Sequence, residues 1–406
     1  MVNPLKAASV EVGDIFSQYG ESYRDTHKLP LSSLKAMSAI EACRSPILGG
    51  HVDQCDSCGH TRISYNSCRN RHCPKCQSLA KERWLEARKE ELLPISYFHS
   101  VLTIPNELNA LSLINQKEIY DILFKAGTET LRELGSDPKH LGAEIGIIAI
   151  LHTWGQNLMD HPHLHCIVPC GGLTEDGKCW LFPRKSTKKK AFFVHVNVIS
   201  DLFKKKFLYY FKRLYLTVKL KFVGKVTYLG NDHEFKKLCD DLYEKKWITY
   251  IKSPFGGPKQ VLEYLGRYTH RVAISNNRIL KLEDSKVTFR YRDNQDGHKT
   301  KEMELDVFEF IRRFLLHVLP CKYFKIRYYG LFSNRNRKKK LEISKKILGM
   351  TKGKEETRKP ESWEELLLKL TGVDPRICPC CEKGRMVRKD ELKPVINSPP
   401  QVQILP

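Results

Sequence analysis

The sequence predicts an α+β fold in which strands pair antiparallel and helices are set between them. Three observations carry this. Residues 98–105 (Phe-His-Ser-Val-Leu-Thr-Ile-Pro) alternate apolar and polar, as a half-buried strand does. Residues 143–156 form an apolar run that a turn at 157–162 sends back along a second strand, which makes a hairpin. Residues 108–134 repeat their apolar side chains with helical period.

Taken in order, residues 1–50 read as an N-terminal helical segment, with amphipathic stretches at 10–23 and 31–43. Residues 51–94 follow as a zinc-binding module. Zinc takes four thiolate or imidazole ligands in a tetrahedron, and a Cys-x-x-Cys knuckle brings two thiolates to one ion across a tight turn. Cys55 with Cys58 and Cys73 with Cys76 supply two knuckles, hence one site, with Cys68 and His72 as alternates or as part of a second ion. Buried free cysteines do not account for the paired spacing. A site with all four positions filled stabilises the fold and leaves no place for water. Arg69, Arg71 and Lys75 are then free to face phosphates. Sixty-nine Lys and Arg against 46 Asp and Glu give a net charge of +23, which suits a polyanion and puts nucleic acid first among partners. The longest apolar run, near 145–151, is far too short to span a bilayer, and the N-terminus carries no signal-peptide pattern. Fourteen cysteines in a large basic chain fit metal ligation in a reducing compartment, so a cytoplasmic protein without membrane attachment is expected.

Residues 95–310 read as the main domain. In an extended strand His161, His163 and His165 share one face, which is a metal-ligand geometry. If the hairpin turn centres near Met159, Gln156 lies across from His163 as the third ligand. His161 competes for that role and His152 is a remote choice. From 185 to 225 basic residues alternate with aromatics, including Lys188, Lys189, Lys190, Phe192, Phe193, Tyr209, Tyr210 and Phe211. Two readings stay open there: a grip on single-stranded nucleic acid by stacking and charge, or a helix with core aromatics and a solvated basic face.

Gly256-Gly257-Pro258 opens a further helix that carries Tyr264, Arg267, Tyr268 and Arg271. Tyrosines four apart share a helix face, and an arginine follows each by three residues. Such tyrosines are ordinarily core residues; beside a metal site in a basic protein they become candidate nucleophiles. A phenol of pKa near 10 is ionised to about one part in a thousand at pH 7, so it needs a metal ion and a guanidinium to attack a phosphodiester. Attack yields a phosphotyrosine, and a second tyrosine allows a second attack while the first is loaded.

A strand with His-hydrophobic-His followed by a helix with Tyr-x-x-x-Tyr resembles the HUH endonuclease superfamily. The cysteine module at 68–76, Leu151 to Gln156, His161 to His165, Tyr264 to Ser275 and Phe314 to Pro320 are together similar to bacterial transposases of the "insertion sequence 91" type. The similarity spans roughly residues 30–340. It implies a central antiparallel sheet flanked by helices and a divalent ion, Mg or Mn, on His163 and His165. It also implies Tyr264 and Tyr268 as nucleophiles on single-stranded DNA at the element's ends, and rolling-circle transposition. A rolling-circle replication initiator would use the same residues. A zinc-containing DNA-binding regulator would leave the histidines and tyrosines idle, and a hydrolase using activated water would form no adduct.

Residues 311–350 form a basic helical extension in which Arg335 and Arg337 are candidate DNA contacts. Residues 351–372 read as a linker and short helix, and 373–406 as a cysteine knuckle and disordered tail. Cys378 and Cys381 lack a visible second pair; they borrow ligands, for example from the N-terminal cysteines, or hold no metal. Self-association is an open expectation.

Overall fold

The structure, a computed structural model, describes residues 10–89, 91–183, 192–255, 260–261, 266, 269–293, 296–297, 299–350 and 362–395. In chain order its main elements are helices α1 (Val12–Thr26) and α2 (Leu31–Glu41), strands β1 (Gly50–Cys55) and β2 (Thr61–Tyr65), helix α3 (Pro74–Lys89), strand β3 (Tyr97–Thr103), and helices α4 (Asn109–Ile114) and α5 (Gln116–Ser136). Strands β4 (Gly146–Trp154), β5 (Asp160–Pro169), β6 (Gly172–Leu173) and β7 (Trp180–Leu181) follow, then helices α6 (Val196–Leu216) and α7 (Asp232–Glu244) and strands β8 (Thr249–Phe255), β9 (Ile279–Glu283), β10 (Lys286–Asp293) and β11 (Lys299–Asp306). The last are helix α8 (Val307–Leu316), strand β12 (Ile326–Gly330), helices α9 (Arg337–Ile347) and α10 (Trp363–Thr371), and strand β13 (Met386–Leu392).

The fold is mixed α+β, with a central antiparallel sheet flanked by helices. Two compact units divide the chain: Met1–Arg83 with His270–Val318 and Lys354–Pro406, and Trp84–Thr269 with Leu319–Gly353. This division cuts across the span 95–310 read from the sequence as one domain.

The second unit holds the five-stranded sheet, ordered β12-β4-β5-β3-β8 with every pairing antiparallel. Period-two alternation sends Leu102, Ala149, Leu151, Leu164 and Cys166 to one face, where they pack under α5 and α6. Phe203, Phe207 and Phe211 stand four apart on α6 and are fully buried there. Gly127 on α5 allows close approach, since a Cβ there would sit 2.8 Å from a Leu102 methyl. The opposite face carries Ile148, Ile150 and Ile167 in a second cluster with Leu331, Phe332 and Leu341. At the end of β12, Gly330 turns with φ +58°, and a Cβ would meet the Ile145 carbonyl oxygen at 1.9 Å. Gly330→Ala therefore combines a left-handed backbone cost with a clash against main chain. It should destabilise by about 2 kcal/mol or more, read as a lower urea midpoint at unchanged slope.

In the first unit α1 packs on α2 and on α8, with Phe16 edge-on to Phe314 at 5.3 Å. Strands β9, β10 and β11 form one antiparallel sheet, with Phe289 against Phe310. Strand β1 is the middle of another, ordered β13-β1-β2. Residues 386–392 form a strand within the span 373–406 that the sequence suggested as a cysteine knuckle and disordered tail. Among the described residues no helix is long and apolar enough to cross a membrane.

Candidate active site and zinc centres

The histidine site is built by the register of β4 against β5. Ile150 opposes His165 and His152 opposes His163; the pairing then slips, so that Trp154 opposes Asp160. The connecting turn is tight, closed by Gly155 N–H to Met159 O at 2.9 Å and by Leu158 at φ +62°. Gln156 falls inside this turn, so it is His152 that faces His163. The expectation for Gln156 rested on a turn centred two residues differently, and the register corrects it. Ligand nitrogens of His152, His163 and His165 all lie within 4.8 Å of one another. His161 is not in this set. It is exposed, and its carbonyl accepts from Nδ1 of His163 at 2.6 Å.

That bond fixes a tautomer. With its proton on Nδ1, a neutral His163 presents a bare Nε2, which lies 3.1 Å from Nε2 of His165. On its other side His165 meets Nε2 of His99 through Nδ1 at 2.8 Å, in the buried interior of the sheet. Burial first, then the charges of Lys252 and His163, hold His99 down to about pKa 3, so it is neutral and able to accept. A proton donated from His165 Nδ1 to His99 leaves both Nε2 lone pairs converging. Two nitrogens each about 2.1 Å from one ion are separated by about 3.0–3.4 Å, so the observed spacing fits a shared cation. His99 stands where it can orient the His165 ring and set its tautomer.

Tyr264, Arg267 and Tyr268 lie outside the described residues, as do Lys188, Lys189 and Lys190. Of the same segment, Val261 is fully buried in the cluster that contains Ile148, Ile150 and Ile167. Ile148 and Ile150 lead to His152 along β4, and Ile167 follows His163 and His165 along β5, on the same face of the sheet. Arg271 is half-buried, and after burial it is the cause that lowers Arg278 to about pKa 10.

The cysteines gather in two quartets, Cys43 with Cys68, Cys73 and Cys76, and Cys55 with Cys58, Cys378 and Cys381. The expected single site of Cys55, Cys58, Cys73 and Cys76 is therefore split. Cys55 and Cys58 end β1 and its turn, whereas Cys73 and Cys76 open α3, and each pair finds other partners. In the first quartet Cys43–Cys76, Cys68–Cys76 and Cys43–Cys73 are each 3.6 Å between sulfurs. Sulfurs about 2.3 Å from one tetrahedral ion are about 3.8 Å apart, whereas a disulfide is near 2.05 Å. The quartet thus fits zinc. Contact with Cys43, then with Cys68 and Cys73, lowers the Cys76 thiol, which also stands in the first turn of α3. His72 is outside the quartet, with its Nε2 3.3 Å from Arg71 Nε. Cys43 and His152 were the residues least visible in sequence: Cys43 has no neighbour in a Cys-x-x-Cys pair, and His152 is recruited by strand register alone.

The candidate DNA contacts differ in their surroundings. Lys75 is paired with Glu11, and Arg337 lies 3.4 Å from Glu91 and over the ring of Tyr328. Arg69 takes φ +53° in the loop after Cys68. Arg335 lines a cleft of about 200 Å³ with Arg132, Tyr329 and Lys340. In the aromatic and basic run, Phe211 is core, Phe192 and Phe193 pack against that core, and Tyr210 is bonded to Glu129. Only the exposed Tyr209, with Arg213 beside it, keeps the form of a stacking platform among the described aromatics of that run.

Residues 15–104 match the family model described as a transposase zinc-binding domain, and residues 146–340 match that of a putative transposase. Together with two thiolate quartets these define the class as a zinc-binding DNA transposase. A putative transposase, y4qJ, of Sinorhizobium fredii is 48% identical over 379 residues, covering 93% of this chain and 94% of the relative. The transposase for insertion sequence element IS801 of Pseudomonas savastanoi pv. phaseolicola is 26% identical over 308 residues, covering 74% and 70%. The chain belongs to the "insertion sequence 91" family of transposases. No solved structure matches it. DNA is accordingly its partner, in keeping with the net charge of +23.

Proposed function

We propose that this transposase cuts and rejoins single-stranded DNA at the ends of its element, by a rolling-circle route, through a covalent 5′-phosphotyrosine. The observation that carries the reading is the convergence of His152, His163 and His165 on the sheet face whose apolar cluster also takes in Val261, three residues before Tyr264. His163 and His165, with His152, would hold Mg or Mn; zinc also suits so imidazole-rich a set. Such an ion, when bound, polarises the scissile phosphate and eases departure of the 3′ oxygen.

Tyr264 and Tyr268 supply the nucleophile. A phenolic oxygen bonds to phosphorus as the P–O3′ bond breaks; the phenol gives up its proton to solvent and the released 3′ oxygen takes one up. The 5′ phosphate stays on tyrosine, and attack by another 3′ hydroxyl reverses the step. Arg267 and Arg271 offset charge on the equatorial oxygens. His99 acts at one remove by holding the His165 ring.

The test uses a labelled single-stranded oligonucleotide of the element end with Mg or Mn. Wild type should give an adduct that survives denaturation, and the Tyr264→Phe/Tyr268→Phe double variant should give none. Adduct formation by the double variant at the wild-type level would refute the mechanism.

A further inference from the structure

We propose that Cys378 and Cys381 complete a second structural zinc site with Cys55 and Cys58, so that each chain holds two zinc ions and the second fastens residues 378–392 to strand β1. The match to the zinc-binding domain ends at residue 104 and does not reach Cys378 or Cys381.

The geometry of the two knuckles supports a built site. Sulfurs of Cys55 and Cys381, and of Cys58 and Cys378, are each 3.7 Å apart, close to the edge of about 3.8 Å expected of a zinc tetrathiolate. Each knuckle turns its amides onto its own sulfurs: Ser57 and Cys58 N–H donate to Cys55 Sγ, Cys380 N–H to Cys378 Sγ and Gly384 N–H to Cys381 Sγ, at 3.4–3.5 Å. Amide donors of this kind stabilise thiolates.

The two knuckles also share a closure. Cys55 N–H donates to His60 O at 2.8 Å, and Cys378 N–H to Gly384 O at 2.9 Å. They are joined directly, since Asp56 N–H donates to Arg385 O and Arg385 N–H to the Asp56 carboxylate. The approach is close enough that a Cβ on Gly384 would lie 2.4 Å from the Cys55 sulfur. Immediately beyond, β13 pairs with β1 from Met386 opposite Cys55 to Leu392 opposite Gly50. Tetrahedral sulfur sets select zinc or iron; sulfurs 3.7 Å apart fit one ion rather than a cluster, and Cys55 and Cys58 lie inside the zinc-binding match, which favours zinc.

The experiment is elemental analysis of the purified full chain together with thiol alkylation read by mass spectrometry. Measured in the His163→Ala background, so that zinc on the imidazole set does not enter the count, the chain should hold two zinc ions and Cys378→Ser/Cys381→Ser one. Because that variant could misfold, wild type itself is alkylated under native conditions. Cys380 is exposed and outside the quartet, so it reports an unprotected neighbour. In the zinc-loaded protein Cys378 and Cys381 should alkylate at least about tenfold more slowly than Cys380, and a chelator should abolish the difference for both. One zinc per chain in the His163→Ala background with all cysteines present, or alkylation of Cys381 at the Cys380 rate in the zinc-loaded protein, would overturn the proposal.

Discussion

Replacing His163 by alanine should reduce cleavage of single-stranded DNA by about 1,000-fold or more while leaving DNA binding and folding close to wild type. The loss follows from the site. Only three imidazoles converge among the described residues, and His163 presents the nitrogen that its own strand has fixed for ligation. About 4 kcal/mol of transition-state stabilisation corresponds to that factor, a reasonable share for the ion that the proposed mechanism assigns to these imidazoles. Folding should survive because His163 is half-buried and its fixed hydrogen bond runs to the carbonyl of His161 two residues away, so truncation opens no large cavity. Binding should survive because a net charge of +23 is untouched by one neutral ring. The measurement is single-turnover cleavage alongside filter binding and a melting curve. Cleavage within tenfold of wild type would remove the triad from the chemistry; a melting point lowered by more than about 10 °C would make it a structural site.

Stripping zinc should have the largest effect on stability. Structural zinc in small cysteine modules contributes roughly 10–16 kcal/mol, as much as a whole domain's net stability. The sheet β13-β1-β2 has little else to hold it. Strand β2 has no buried residue, nor has β13, and β1 is six residues long. Native hydrogen exchange after treatment with a strong chelator should show amides of β1, β2 and β13 losing protection within minutes. Those of β4 and β5, buried along nearly their whole length, should keep it. Retained protection of the small sheet in zinc-free protein would mean that packing rather than metal maintains it.

How far these sites were legible in the sequence depends on what each required. A period of two is enough to see His163 and His165 on one face, and it was. Naming the third imidazole required the turn to be placed to the residue, because a shift there exchanges Gln156 for His152 as the partner of His163. The thiolate quartets show the same division. Cys-x-x-Cys spacing announces half a site, but which halves meet depends on strand pairing between distant segments, and Cys43 has no spacing to announce it. The aromatic and basic run on α6 was ambiguous in composition. Burial sorts its aromatics, with Phe203, Phe207 and Phe211 in the core and Tyr209 exposed beside Arg213. His99 carries no motif; it is found only as the residue behind His165.

The pairing of Cys58 with Cys378 spans 320 residues of chain. During synthesis at about 5–20 residues per second, the first knuckle waits some 15–65 seconds on the ribosome before its partner exists. The five-stranded sheet, all of whose strands precede residue 331, is by then fully translated. Chains released early by premature termination or proteolysis would lack half the ligands for that ion. On the proposed two-zinc reading, a product interrupted before Cys378 would carry the whole histidine sheet but only two of the four thiolates for the second ion.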